Sequence, residues 1–333
     1  MDGIFVIGMG RSGTSLATRL LEIAGAYVGT EETLLAANEW NETGFWEDKR
    51  IASLNARLLE AFGGRYWDPP LFPADWLEDE RVLPFRAEAK ALLETDFFGH
   101  PLWAVKDPRV TVVLPFWQSL VDQPKHILCL RNPMDAAASL SKRDRMPMEF
   151  SVAIWHVYTL RALVHTNREN RFALFYEDVM SDPLKAAEPL FAFIGAEDRL
   201  SDPNVRAEIE HSVRTDLKHY GHNLQAVMDC PYMLGSTKSL YRAFIEGDDE
   251  ALEAAVADSP QTLQVLYAIT RACGSMFDLY SEAFRLTRRN DRKARMKDAA
   301  NPVQLLRNLF FGRPASAAGG WAGRSSRRLH ASE

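Results

Sequence analysis

The sequence predicts a three-layer α/β fold, in which helices flank a parallel β-sheet, followed by a mostly helical C-terminal part. Two observations support this prediction. Four short apolar segments alternate with longer segments whose apolar residues have helical spacing, which is the order expected of a parallel sheet. Each apolar segment also ends in glycine or polar residues, as buried parallel strands do where their carboxyl ends face a ligand crevice.

The first strand is predicted over 3–7, and a glycine-rich loop connects it to an amphipathic helix over 13–26. Residues 31–47 mix turn-forming and aromatic residues, which predicts an ordered loop before a helix over 48–62. The segment 63–79 is rich in proline, glycine and aromatic residues and is predicted to be a loop that packs on the protein surface.

Three further strands are predicted over 102–105, 126–130 and 171–176. The second of these leads into a helix with a clear N-terminus. Asn132 is a capping residue, Pro133 suits a first turn, and the acidic Asp135 complements the helix dipole. The remaining predicted helices span 136–143, 149–169, 183–194, 239–256 and 260–288.

The composition is that of a globular protein, with 47% hydrophobic and 25% charged residues, and it excludes a wholly disordered or fibrous chain. The three cysteines are far apart and lack zinc-ligand spacing, so neither a disulfide scaffold nor a cysteine zinc site is predicted. No signal peptide or long apolar segment is recognisable, which predicts a soluble, cytoplasmic protein.

Charge is distributed unevenly along the chain. Twelve of the 39 Lys and Arg residues, but three of the 45 Asp and Glu residues, lie within 285–333. We therefore predict one domain over 1–285, with a core at about 3–195 and a helical part at about 196–285, and a basic tail over 286–333. A solvated tail is the favoured interpretation; the alternative is a peripheral contact with the inner membrane surface.

A glycine-rich loop over 8–15, Gly-Met-Gly-Arg-Ser-Gly-Thr-Ser, lies between the first strand and the first helix. Glycines let backbone N–H groups converge, and a helix N-terminus adds partial positive charge, so this loop is predicted to bind a phosphate-like group. It is close to the P-loop pattern, but Thr14 occupies the position of the kinase lysine and the cation is Arg11. We therefore expect a P-loop-like sheet that binds neither a γ-phosphate nor a metal ion.

Two segments resemble the sulfotransferases that use 3′-phosphoadenosine-5′-phosphosulfate (PAPS) as sulfuryl donor. Residues 11–15, Arg-Ser-Gly-Thr-Ser, are similar to that family's 5′-phosphosulfate loop, and 131–139, Arg-Asn-Pro-Met-Asp-Ala-Ala-Ala-Ser, to its 3′-phosphate segment. Residues 44–47, Gly-Phe-Trp-Glu, and 106–109, Lys-Asp-Pro-Arg, resemble bacterial members of the carbohydrate- and tyrosyl-protein-type branch, while 172–195 resembles a structural segment of the family. The donor-binding residues implied by the resemblance are Gly10, Arg11, Ser12, Gly13, Thr14, Ser15, Arg131 and Ser139.

The resemblance also implies an in-line sulfuryl transfer, which requires cations at the phosphosulfate and a base for the acceptor hydroxyl but no metal ion. Arg11 and Lys106 are the implied cations. Glu32 is the favoured base because related enzymes have a glutamate about twenty residues after the loop cation; Glu47 is the alternative.

The expected acceptor is a hydroxyl group of a carbohydrate, a glycolipid or a small metabolite, and no nucleic-acid partner is expected. Two other functions remain open, an atypical P-loop nucleotide kinase and a catalytically inactive protein that binds PAPS or another nucleotide. Several aromatic residues either pack in the core, which is the favoured interpretation, or stack on a sugar ring or the adenine: Trp40, Phe45, Trp46, Tyr66 and Trp67.

Overall fold

A four-stranded parallel sheet lies at the centre of the fold. The computed structural model describes residues 2–36, 44–213 and 221–290, with 280–290 described by their backbone alone. The strands are β1 (Asp2–Ile7), β2 (Leu102–Lys106), β3 (Lys125–Leu130) and β4 (Arg171–Phe175), arranged in the order β2-β1-β3-β4. In the register of the sheet, Phe5 pairs with Val105 on one side and with His126 on the other.

Helices cover both faces of the sheet and form most of the chain after β4. In chain order they are α1 (Thr14–Ile23), α2 (Lys49–Ala61), α3 (Leu83–Leu92), α4 (Leu114–Gln118), α5 (Pro133–Asp144), α6 (Met148–Val164), α7 (Tyr176–Ser181), α8 (Pro183–Ile194), α9 (Pro203–Ser212), α10 (Leu224–Asp229), α11 (Gly235–Glu246), α12 (Asp249–Ala257) and α13 (Ser259–Asn290).

Alternating side chains of the strands divide the core into two apolar clusters, one on each face of the sheet. Phe5 and Ile7 of β1 belong to the larger cluster, which includes residues of α2, α6 and α13. Ile4 and Val6 belong to the smaller cluster, with residues of α1, α8 and α9. The predicted fold class, a three-layer structure with a parallel sheet between helices, is therefore confirmed.

Each predicted strand is present, with both ends within one residue of their predicted positions. The predicted start of α5 is also confirmed, because the Asn132 side chain accepts a hydrogen bond of 2.9 Å from the Met134 backbone and Pro133 occupies the first turn. The helices α3, α4, α7, α9 and α10 were not predicted.

Two predicted helices were too long. The helix predicted over 149–169 ends at Val164, because the Asn167 side chain accepts hydrogen bonds from two later backbone N–H groups and forms a turn before β4. The helix predicted over 239–256 is interrupted where Gly247 adopts a positive φ of 65°. The Asp248 side chain then caps a new helix, α12.

The C-terminal part packs against the core. The helix α13 continues to Asn290, beyond the predicted domain end at 285, and it packs along α6. The rest of the predicted basic tail, from 291 onward, lies outside the described residues. Among the described helices, none has both the length and the apolar character of a membrane span.

Candidate active site

The loop between β1 and α1 has the backbone geometry of an anion cradle. Gly8, Arg11 and Gly13 have positive φ angles of 123°, 74° and 90°, which turn the chain sharply at the end of β1. Gly13 also stands at the N-cap of α1 and provides no side-chain cap for the first turn of that helix. Backbone N–H groups at such a position, together with the helix dipole, favour a bound anion.

Two residues distant in sequence converge on Arg11. Its Nε donates a hydrogen bond of 3.0 Å to Ser139 Oγ, and its carbonyl oxygen accepts one of 3.0 Å from Arg131 Nη1. The Arg131 guanidinium also lies over the Tyr176 ring, 4.3 Å from its centroid. The structure therefore brings together the loop cation Arg11 and the two residues that the resemblance implies as 3′-phosphate ligands, Arg131 and Ser139.

Positive charge is concentrated around Arg11. Burial lowers the pKa of Arg11, and the nearby cations Arg143 and Arg131 lower it further. Within the described residues, the buried Ser12 hydroxyl and the buried Arg131 Nε have no hydrogen-bond partner. Ser12 belongs to the loop and Arg131 contacts it, so a bound anion would give both atoms the partners that buried polar groups usually have.

A second cation is held at the carboxyl end of β2. Lys106 is 4% exposed, and its Nζ donates hydrogen bonds to Glu47 Oε1 at 2.7 Å, to the Phe45 carbonyl at 2.8 Å and to Ser15 Oγ at 3.3 Å. Glu47 also lies 3.8 Å from Arg109. The Lys106 ammonium is thus placed beside the first turn of α1 by the segment that contains Glu47.

The residue after Lys106 fixes the chain beyond β2. Asp107 is fully buried, accepts a hydrogen bond of 2.7 Å from the Arg109 backbone N–H and forms an ion pair with the Arg109 side chain. This arrangement combines a capped turn with a charge-assisted pair, which is stronger than a neutral hydrogen bond.

A cavity of about 700 Å³ adjoins these groups. Its wall includes residues of the loop and the two predicted catalytic cations, Arg11 and Lys106, together with Ser15 and Glu47. It also includes the aromatic or apolar residues Tyr66, Trp67, Met146 and Phe277, and the ion-paired Arg143 and Asp144. Because charged groups and apolar surface line the same cavity, it can bind an anion together with a partly apolar molecule.

Residues 3–200 match the sequence pattern of the Sulfotransferase family. The chain belongs to the sulfotransferase family. Among solved structures, this sulfotransferase is similar to the sulfotransferase domain from the curacin biosynthetic pathway, with 16% identity, a TM-score of 0.42, and coverage of 74% of this chain and 98% of that one. It is also similar to retinol dehydratase in complex with androsterone and inactive cofactor PAP, with 14% identity, a TM-score of 0.32, and coverage of 78% and 80%. The comparison with curated proteins gave no significant match.

The two glutamates proposed as base in this sulfotransferase lie in different surroundings. Glu47 is 8% exposed and lines the cavity. Glu32 belongs to a turn over 30–33, its side chain is exposed, and its carbonyl oxygen accepts a hydrogen bond from Lys49 Nζ. The described wall of the cavity does not include Glu32.

Sequence reasoning missed two parts of the cavity wall. Phe277 comes from α13, which is remote in sequence from the motifs, and no local pattern marks it. The role of Arg109 was also missed, although it belongs to the Lys-Asp-Pro-Arg segment that was recognised. No group of three or more His, Cys, Asp or Glu side chains among the described residues is placed to hold a metal ion.

Proposed function

We propose that the chain transfers the sulfuryl group of PAPS to a hydroxyl group of a small-molecule acceptor. The observation that supports this most strongly is the convergence of Arg11, Arg131 and Ser139 at the uncapped N-terminus of α1. Lys106 lies beside the same turn through its contact with Ser15. An anionic donor with two phosphate-bearing ends matches this set of cations and hydroxyl groups.

The residues present fit such a donor. Ser12 and Arg131 each have a buried polar atom without a partner among the described residues, and the oxygens of a bound anion would pair with both. In this assignment the loop residues and Arg11 hold the phosphosulfate, while Arg131 and Ser139 hold the 3′-phosphate. PAPS, when bound, supplies an activated sulfuryl group whose leaving group is the 3′,5′-bisphosphate.

The transfer requires one bond to form as another breaks. The acceptor oxygen forms a bond to sulfur, the bond from sulfur to the bridging oxygen breaks, and the hydroxyl proton passes to a base. Negative charge grows on the bridging oxygen, so cations near it stabilise the transition state more than the ground state. Arg11 and Lys106 supply these cations from the described cavity wall.

The family resemblance favours Glu32 as the base, but we assign this role to Glu47. Support for this choice comes from position, since Glu47 lines the cavity and its carboxylate contacts Lys106. If Lys106 turns toward the sulfuryl group, its hydrogen bond to Glu47 is released and the carboxylate becomes able to accept the acceptor's proton. Proton transfer by a positioned carboxylate typically contributes 10²- to 10⁴-fold.

Paired glutamine variants test this assignment. Glu47→Gln is expected to lower kcat by about 10²-fold or more, because the amide retains a hydrogen-bond acceptor for Lys106 but cannot take a proton. The rate is measured with saturating donor and acceptor. Glu32→Gln is the matched variant, and a larger loss of kcat in Glu32→Gln than in Glu47→Gln would assign the base to Glu32.

The apolar residues of the cavity support an acceptor with an apolar body. Trp67 and Phe277 meet edge to face with ring centroids 6.0 Å apart, and Met146 lines the same cavity. Aromatic walls bind rings and alkyl chains through burial of apolar surface. We therefore propose an alcohol or phenol on an apolar framework as the acceptor class, in preference to a long polar glycan.

Titration calorimetry tests the donor assignment. The bisphosphate product PAP is expected to bind at least about tenfold more tightly than ATP with Mg²⁺, because Thr14 replaces the P-loop lysine and Arg11, Arg131 and Ser139 converge at the loop. Labelled PAPS is then supplied with phenols, alkyl alcohols and sugars, and labelled product is expected from the first two. Tight binding of ATP–Mg²⁺ without binding of PAP would instead indicate a nucleotide kinase.

A further inference from the structure

The Tyr66 hydroxyl is a buried polar group that the roles described above leave unused. Tyr66 lines the cavity, yet its hydroxyl oxygen is inaccessible to solvent and has no hydrogen-bond partner among the described residues. Leaving such a group unpaired lowers stability, and an oxygen of a bound ligand would supply the missing partner.

The backbone around Tyr66 is held in place from several sides. Arg65 and Asp68 pair through their backbones across a tight turn, with N–O distances of 2.8 and 3.2 Å. The Tyr66 carbonyl accepts a hydrogen bond of 2.7 Å from the Tyr158 hydroxyl. Asp68 also forms an ion pair of 2.9 Å with Arg271 of α13. The backbone that carries Tyr66 is therefore set by the fold before any ligand binds.

The hydroxyl lies directly against the anion-binding loop. A Cβ atom at Gly10 would stand 2.5 Å from the Tyr66 hydroxyl oxygen, so the absence of a side chain at residue 10 allows this approach. The same cavity wall includes Arg11 and Lys106, whereas its described part does not include Arg131 or Ser139. Tyr66 thus belongs to the sulfuryl end of the predicted donor site and not to the 3′-phosphate end.

The protonation state suits a hydrogen-bond donor. Burial raises the pKa of Tyr66 to about 12, with a smaller opposing effect from Arg143. The phenol therefore keeps its proton at neutral pH and offers an O–H group to an anionic oxygen, while it is too weak an acid to act as a proton source in this range.

We propose that the Tyr66 hydroxyl, which a small shift of its ring exposes when the donor binds, donates a hydrogen bond to the sulfuryl group of the bound donor. This inference rests on the proposed sulfotransferase function. Tyr66 then acts together with Arg11 and Lys106 by orienting the group in transfer, and no proton leaves the phenol during the reaction. The lack of a side chain at Gly10 is what admits the Tyr66 hydroxyl beside the loop.

Comparison of PAPS with PAP tests the proposal, since the two differ by the sulfuryl group alone. Tyr66→Phe keeps the ring and removes the hydroxyl, and it should weaken PAPS binding by about tenfold or more while PAP binding changes less than about twofold. Both affinities are measured by titration calorimetry without acceptor. Retained PAP affinity also shows that the loop of the variant is intact.

Tyr27→Phe is the matched control. Tyr27 stacks on His100, with ring centroids 3.8 Å apart, and the described cavity wall does not include it; both affinities should match those of the wild-type protein. Equal weakening of PAPS and PAP in Tyr66→Phe, or no change in either, would overturn the proposal. A wild-type protein that binds neither molecule would overturn the proposed function itself.

Discussion

Lys106→Met is expected to lower kcat by about 10³-fold, because it removes a buried cation from the place where negative charge grows in the transition state. The Lys106 ammonium donates to three acceptors, from Ser15, Phe45 and Glu47, so it is held beside the first turn of α1 before the donor binds. Methionine has similar length and no charge. The measurement is kcat for sulfuryl transfer under saturating donor and acceptor.

Loss of the lysine also affects folding, and this effect must be separated from catalysis. Lys106→Met leaves the buried Glu47 carboxylate with Arg109 at 3.8 Å as its remaining cation, and we expect a destabilisation of about 3 kcal/mol. The double variant Lys106→Met/Glu47→Gln removes both charges and should regain part of that free energy of unfolding. If Lys106→Met lost this free energy of unfolding but kept the wild-type kcat, Lys106 would have a structural role and not a catalytic one.

The sheet could be predicted from sequence because its signals are local. Each strand is a short apolar run that ends in polar residues or glycine, and the start of α5 carries three helix-start signals within four residues: Asn132, Pro133 and Asp135. Such signals depend on the spacing of apolar residues within a short segment and on burial of both faces of the sheet. They can therefore be recognised without knowledge of contacts between distant segments. The convergence of Arg11 with Arg131 and Ser139 followed from the parallel order of β1 and β3.

The contribution of α13 to the cavity wall could not be predicted because it depends on contacts between distant segments. Arg65 pairs with Asp278 at 2.7 Å and Asp68 with Arg271, and these ion pairs bring α13 against the turn that carries Tyr66. No pattern near Phe277 indicates that it faces a ligand. The relative surroundings of Glu32 and Glu47 were beyond the sequence for the same reason, since spacing from Arg11 says nothing about which carboxylate reaches the cavity.

These contacts show that the predicted donor-binding core and the predicted helical C-terminal part line one cavity together. The helix α13 packs along α6, and its Phe277 lines the same cavity as Arg11. The C-terminal part therefore contributes to the wall that faces the proposed acceptor. Variation in α13 is expected to alter acceptor choice, whereas the donor contacts remain with the loop and α5.

The second large effect is expected at Gly8, where Gly8→Ala should lower the free energy of unfolding by about 3 kcal/mol. Gly8 has a φ of 123°, which disfavours any side chain. A Cβ atom there would stand 2.6 Å from the carbonyl oxygen of Cys129, a backbone atom of β3 that cannot move without distorting the sheet. Unfolding in urea, followed by circular dichroism, measures the change.

Gly25→Ala separates the two causes of this effect. Gly25 also has a positive φ, of 98°, but a Cβ atom there meets no other atom within 4 Å. Gly25→Ala should therefore lose about 1 kcal/mol from backbone conformation alone, and the excess loss in Gly8→Ala reports the contact with Cys129. Equal losses in the two variants would show that β1 and β3 adjust to the added methyl group.

PAP affinity distinguishes the positions further, because Gly8 begins the anion-binding loop and donates its N–H to Thr111 Oγ1 at 2.8 Å. Gly8→Ala is therefore expected to weaken PAP binding. Gly25→Ala should leave PAP binding unchanged, because Gly25 lies at the end of α1, remote from the loop.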